Sequence, residues 1–169
     1  MAEDETLRAP LVIEYPFTRT TGPVVGAFFT ALREGFVVGV RGADGRVIVP
    51  PVEYDPVTAE ELTEVVEVGD AGAVTAWSWV TDAVSTPVRD AGEEQPWPAW
   101  KDAPPLEVPH AWALVRLDGA DTALLHALDV DDPGRLHTGM RVRIRWRDER
   151  EGAITDIACF EPEVAGGER

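Results

Sequence analysis

Apolar positions fall into three regimes along the chain. Between residues 24 and 35 they keep helical spacing, with Val24, Val25, Phe28, Ala31 and Leu32 recurring at one to four residues on one face. Thr21-Gly22-Pro23 supplies a helix start, a hydroxyl near the N-cap and a proline in the first turn, and Gly35 supplies the stop. The pattern predicts an amphipathic helix whose phenylalanine face packs on a sheet or on another protein. Beyond Gly35 the apolar runs shorten and become rich in β-branched residues. Residues 36–40 and 46–49 flank the turn-like Arg41-Gly42-Ala43-Asp44-Gly45 and read as a hairpin. Pro50-Pro51 ends the second strand, because proline has no ladder donor.

From Leu62 the strands lengthen: 64–68 pairs with 72–81 and 111–117 with 123–130, and 140–147 and 154–160 close the set. Gly69-Asp70-Ala71-Gly72 separates the first pair and Asp118-Gly119-Ala120-Asp121 the second. Antiparallel strands at this spacing indicate a small barrel or sandwich. The third regime is residues 85–109, where Pro87, Pro96, Pro98, Pro104, Pro105 and Pro109 forbid regular structure. The expected organisation is therefore mainly β. It has an irregular leader (1–20), a helix plus hairpin (21–61), a barrel with a long Pro-rich loop (62–162, loop 85–109) and a flexible tail (163–169). Within the leader, Leu11-Val12-Ile13 could pair as an edge strand or pack on a partner.

Charge narrows the partners. Thirty-one acidic against fifteen basic residues give a net charge of -16, a field that repels nucleic-acid phosphates and anionic lipid. No apolar run approaches the roughly 20 residues that span a bilayer. The acidic start, Met1-Ala2-Glu3-Asp4-Glu5, lacks the basic region of a secretory signal, so a cytoplasmic location is expected. Cys159 is the only cysteine, which excludes an intramolecular disulfide and a zinc site built on several thiolates; it reads as a small buried apolar residue.

Catalytic candidates are few. Ser78 and Ser85 are the only serines, neither in a nucleophile elbow, and Ser78 reads as a sheet-face hydroxyl between Trp77 and Trp79. His110, His126 and His137 lack metal-ligand spacing, and His110 opens a strand at a loop mouth. Arg141, Arg143, Arg145 and Arg147 alternate with Val142, Ile144 and Trp146, which puts the guanidinium groups on one face. That stripe is either a phosphate or carboxylate dock, for instance for CoA, or a solvated face neutralised by acids such as Glu64 or Glu67. Trp97 and Trp100 in the Pro-rich loop either fold back over the barrel or anchor a partner. Trp77, Trp79 and Trp112 read as core filling or as a ligand platform.

The order of these pieces resembles a known family. Phe28-Phe29, Ala31-Leu32 and Glu34-Gly35 precede a hairpin ending Gly45-Arg46-Val47 and Pro50-Pro51. Val68-Gly69-Asp70, Pro109, Leu117-Asp118-Gly119, Gly139-Met140-Arg141 and Phe160-Glu161-Pro162 follow. Most of residues 24–162 is thus similar to the zinc-ribbon plus OB-fold proteins associated with acyl-CoA enzymes, catalogued as domain of unknown function 35. The resemblance implies an N-terminal helix, a ribbon hairpin and an OB-fold barrel. It also implies four zinc-ligating cysteines, whose positions here fall at Arg41, Asp44, Asp55 and Thr58, so no zinc is expected.

The resemblance further implies a non-catalytic accessory subunit of a thiolase-like or lipid-transfer-protein-like enzyme. One example of the class is an aldolase complex that cleaves steroid side chains, a lyase of lipid metabolism. The partner would hold the catalytic groups, acyl-CoA would be the substrate of the complex, and this chain would bind no cofactor of its own. A heteromer follows, for instance of two copies of each chain. Expected contacts are Phe28, Phe29, Trp97 and Trp100 for the partner, and Arg141, Arg143, Arg145 and His110 for CoA or another anion. The alternative is a stand-alone acyl-CoA-binding OB-fold module.

Overall fold

The structure, a computed structural model, describes residues 20–80 and 110–163. The expected Pro-rich loop, with Trp97 and Trp100, lies outside the described residues, as do most of the leader and of the tail. Helix α1 spans Pro23–Glu34 and ends on Gly35, whose φ of 87° is the left-handed conformation that glycine adopts without a Cβ penalty. Its start differs from the expected hydroxyl cap. Gly22 is the N-cap residue and has no side chain, and Thr21 does not serve. The carboxylate of Glu53 instead accepts the N–H groups of Val24 (3.3 Å) and Val25 (2.8 Å) from 28 or more residues away. An anion at this end of the helix also opposes the partial positive charge of the free amides.

Strands β1 (Val37–Arg41), β2 (Val47–Ile48) and β3 (Val65–Val68) form an antiparallel sheet in the order β2-β1-β3. The hairpin is where the Asp-Gly turn puts it. The expected pairing of 64–68 with 72–81 is corrected: Val65–Val68 pairs with β1, Val68 opposite Val37 and Val65 opposite Val40. The Gly69 N–H reaches the Asp118 carbonyl (2.8 Å), so the turn after β3 binds the next loop rather than closing a hairpin.

Five strands close the barrel: β4 (Ala71–Val80), β5 (His110–Leu117), β6 (Leu124–Leu128), β7 (Arg141–Trp146) and β8 (Ile157–Pro162). The order around it is β4-β5-β6-β8-β7, with β7 returning to β4. All pairings are antiparallel except the β6–β8 closure at Leu128 and Phe160. Strand β4 has a bulge between Val74 and Ala76, which lets one strand curve between two neighbours. At Gly72 a Cβ would come within 2.3 Å of the Arg116 carbonyl oxygen, so only glycine lets these backbones approach.

The interior follows the period-2 pattern. Val74, Ala111, Ala113, Val115, Leu117, Val142, Ile144 and Phe160 are buried in one cluster. Phe28, Ala31 and Leu32 of α1 join that same cluster, so the helix is part of the core. The three-stranded sheet is pinned to the barrel by paired polar bonds. The Val47 N–H donates to Asp121 (2.8 Å), and Thr122 Oγ1 both accepts from the Val49 N–H (2.7 Å) and donates to its carbonyl (2.8 Å). Among the described residues no helix is long and apolar enough to cross a membrane.

Candidate functional site

Alternation along β7 places Arg141, Arg143 and Arg145 outside and Val142 and Ile144 inside, as the sequence pattern requires. Each of the three guanidinium groups meets a carboxylate. Arg141 grips Asp118 with both terminal nitrogens (2.7 and 2.6 Å) and reaches Glu163 through Nε (3.0 Å). Arg143 lies 3.5 Å from Asp70. Arg145 bonds Asp129 (2.7 Å) and lies 3.6 Å from Glu161. The neutralising acids come from loop ends beside the strand and from β8. Of the two acids expected on the stripe, Glu64 pairs with Arg41 instead. The Arg141 guanidinium holds Asp118 below the usual carboxylate range, and Asp118 in turn raises Arg141. Arg147 lies beyond the strand end, after a register shift between Arg145 and Trp146. An open groove lined by Arg145, Trp146 and Arg147 together with Asp148 and Glu149 flanks this end, so acidic and basic side chains share it.

Cys159 sits opposite Arg145 in the ladder and is buried; burial pushes its thiol up, which keeps it protonated at neutral pH. His110 opens β5 opposite Val80, and only its backbone belongs to the described structure. His126 faces inward opposite Ala113, and burial pushes its pKa down.

The two phenylalanines separate. Phe28 is 3% exposed, which corrects its assignment to a partner interface: a side chain this deep in the core cannot touch another chain without unfolding α1. Phe29 is half-buried and lines an open groove with Thr30, Arg33 and Gly152. Gly152 belongs to a turn built by Asp156, whose buried carboxylate accepts the N–H groups of Glu151 (3.0 Å), Gly152 (2.8 Å) and Ala153 (3.0 Å). Burial alone would raise that carboxyl; the three donors outweigh it and hold it low. Arg150 then ties the turn to the helix end through Nε and the Arg33 carbonyl (3.1 Å).

Sequence reasoning missed an outward apolar row across β4, β5 and β6. Ala76 pairs with Leu114 and Leu114 with Leu125, and Leu114 and Leu125 are 38% and 57% exposed. The signal was present: β5 is apolar at alternate positions of both faces, since Trp112 and Leu114 point out while Ala111, Ala113 and Val115 point in. Trp77 is 40% exposed, and Trp79 packs half-buried against the core.

The positions of the implied zinc cysteines are all engaged. Arg41 bonds Glu64 through Nε (2.7 Å) and the Gly45 carbonyl (3.0 Å). Asp44 accepts from the Arg46 backbone (3.0 Å) and side chain (2.5 Å). Asp55 is buried and accepts three backbone N–H groups, those of Thr58, Ala43 and Val57, which hold it below the usual carboxylate range. Thr58 Oγ1 accepts from the Glu60 N–H. A cation and two occupied carboxylates do not fit a zinc ion, which needs four free donors. Among the described residues no group of three or more His, Cys, Asp or Glu side chains is arranged to hold a metal.

A five-stranded barrel closed in this order, carrying a helix and a ribbon-like sheet on its N-terminal side, defines an OB-fold protein with an appended small sheet. Residues 65–147 match the family described as "ChsH2, C-terminal OB-fold domain". Two solved structures are similar to this chain, and the first of them shares the fold. The "Ltp2-ChsH2(DUF35) aldolase" is 21% identical, over 87% of this chain and 100% of that one, with a TM-score of 0.54. A DUF35-family protein of unknown function from Sulfolobus solfataricus is 20% identical, over 73% and 78%, with a TM-score of 0.49. No curated protein matches the chain.

Proposed function

We propose that this chain is a non-catalytic accessory subunit of a thiolase-like acyl-CoA enzyme, of the kind that cleaves an acyl-CoA side chain by retro-aldol chemistry. One observation carries the reading: the alignment with the structure titled "Ltp2-ChsH2(DUF35) aldolase" covers the whole of that chain and 87% of this one. Two features of the described residues support it. No described serine, cysteine or histidine has a nucleophile–base partner, Cys159 being buried opposite Arg145 and His126 turned into the barrel. The outer row of Leu114 and Leu125 offers apolar surface of the kind that protein contacts use. In this reading acyl-CoA is the substrate of the complex, the partner holds the catalytic groups, and a steroid side chain is one acyl group it could act on.

A stand-alone acyl-CoA module is less well supported. It would need Arg141, Arg143 and Arg145 free for phosphate, and carboxylates of the chain already hold all three.

Co-expression with a thiolase-like acyl-CoA enzyme, followed by size exclusion, tests the proposal. A single peak containing both chains is expected. Two independent peaks at micromolar concentration would contradict it.

A further inference from the structure

A zinc ribbon ties two turns together by placing two thiolates of each around one ion. In this chain the equivalent turns are the hairpin tip, 41–46, and the segment 55–60. They meet without any thiolate. Asp55 comes from the second turn and is 6% exposed. One of its oxygens accepts the Ala43 N–H of the first turn at 3.0 Å. Its other oxygen accepts the Val57 and Thr58 N–H groups of its own turn, at 2.8 and 3.0 Å. Gly42 makes the approach possible. A Cβ there would stand 3.2 Å from both Asp55 Oδ2 and Asp44 Oδ1, tighter than side chains normally pack.

The surrounding bonds complete the closure. The Gly42 N–H donates to the Arg46 carbonyl (2.8 Å) and the Gly45 N–H to the Gly42 carbonyl (2.9 Å), which fixes the hairpin tip. The Asp55 N–H donates to Glu60 and the Ala59 N–H to Asp55 (2.8 and 2.9 Å), which fixes the second turn. From these contacts we infer that the Asp55 carboxylate does the structural work of the ribbon's metal ion: it is the anion that both turns wrap, so the small sheet folds and holds its shape independently of zinc. The substitution of a metal by a carboxylate is chemically coherent. Backbone N–H groups that would bond to metal-bound sulfur find an oxygen acceptor instead, and charge-assisted bonds of this type are the strong ones.

Two measurements on the full-length chain test this. The first is zinc content after purification without chelator, with backbone amide exchange recorded before and after chelator treatment. Substoichiometric zinc is expected, with exchange unchanged by the chelator. The second is amide exchange in Asp55→Ala and Asp55→Asn. The amides of Ala43, Val57 and Thr58 should exchange about tenfold faster or more in Asp55→Ala, while Val115 and Phe160 in the barrel stay protected. Asp55→Asn keeps one oxygen and should release one turn while holding the other. Stoichiometric zinc whose removal speeds exchange at Ala43 and Thr58 would overturn the inference. So would unchanged protection of those amides in Asp55→Ala.

Discussion

His126 turns inward from β6, its ring edge-on to Phe160 with centroids 6.1 Å apart and planes at 76°. Burial disfavours the charged imidazolium, so its pKa in the folded chain lies below the ordinary value of 6.5. The folded state therefore binds fewer protons than the unfolded one as the pH falls through this range. The stabilisation from neutral His126 is complete above about pH 6.5 and is lost below it. The melting temperature should fall between about pH 7 and pH 5, and His126→Leu should flatten that slope. The buried or paired carboxylates Asp55, Asp118 and Asp156 carry depressed values as well, so their contribution is lost only below the ordinary carboxylate value of 3.8. A pH-independent melting temperature between neutrality and pH 5 would mean that His126 is solvated. The arginine strand shows the limits of residue-level reading. Alternation put four guanidinium groups on one face; Arg141, Arg143 and Arg145 are there, and Arg147 lies beyond the strand end. Asp118 and Glu163, which pair with Arg141, and Asp129, which pairs with Arg145, are 16 to 23 residues away, and Asp70 beside Arg143 is farther still; no local pattern announces them.

At the scale of elements, α1 owes its position to two unlike contacts. Its N-terminus rests on the Glu53 carboxylate, and its inner face enters the barrel core through Phe28 and Leu32. Spacing made the helix and its glycine stop legible, because both are written in neighbouring residues. The cap was not, since Glu53 acts through space. Spacing alone could not divide Phe28 from Phe29 either, as adjacent helical residues lie about 100° apart and both border the apolar stripe. Phe28→Ala should therefore cost about 3–5 kcal/mol, whereas Phe29→Ala, half-buried, should cost clearly less. Chemical denaturation of both variants measures the difference; equal losses would place Phe29 in the core as well. The pairing of β3 was misread for a related reason. Gly69-Asp70-Ala71-Gly72 has hairpin chemistry, but β1 has a free edge there and β4 is claimed on both sides by β5 and β7. Local turn preference yields where a competing edge buries Val66 and Val68 better.

The whole molecule is a barrel whose five strands bury one contiguous core and which carries an N-terminal sheet held by polar pins at Val47 and Val49. The chain carries a net charge of -16, and carboxylates pair with Arg141, Arg143 and Arg145 of the basic stripe. On the described surface the exposed apolar side chains of Leu114 and Leu125 lie within this acidic field. The central claim is that the chain serves an acyl-CoA enzyme without performing the chemistry. It is tested most directly by measuring retro-aldol cleavage of a β-hydroxyacyl-CoA with the thiolase-like partner alone, with this chain alone, and with the two combined. The account predicts turnover by the combined chains and none above background by this chain alone. Turnover by the isolated chain would contradict it.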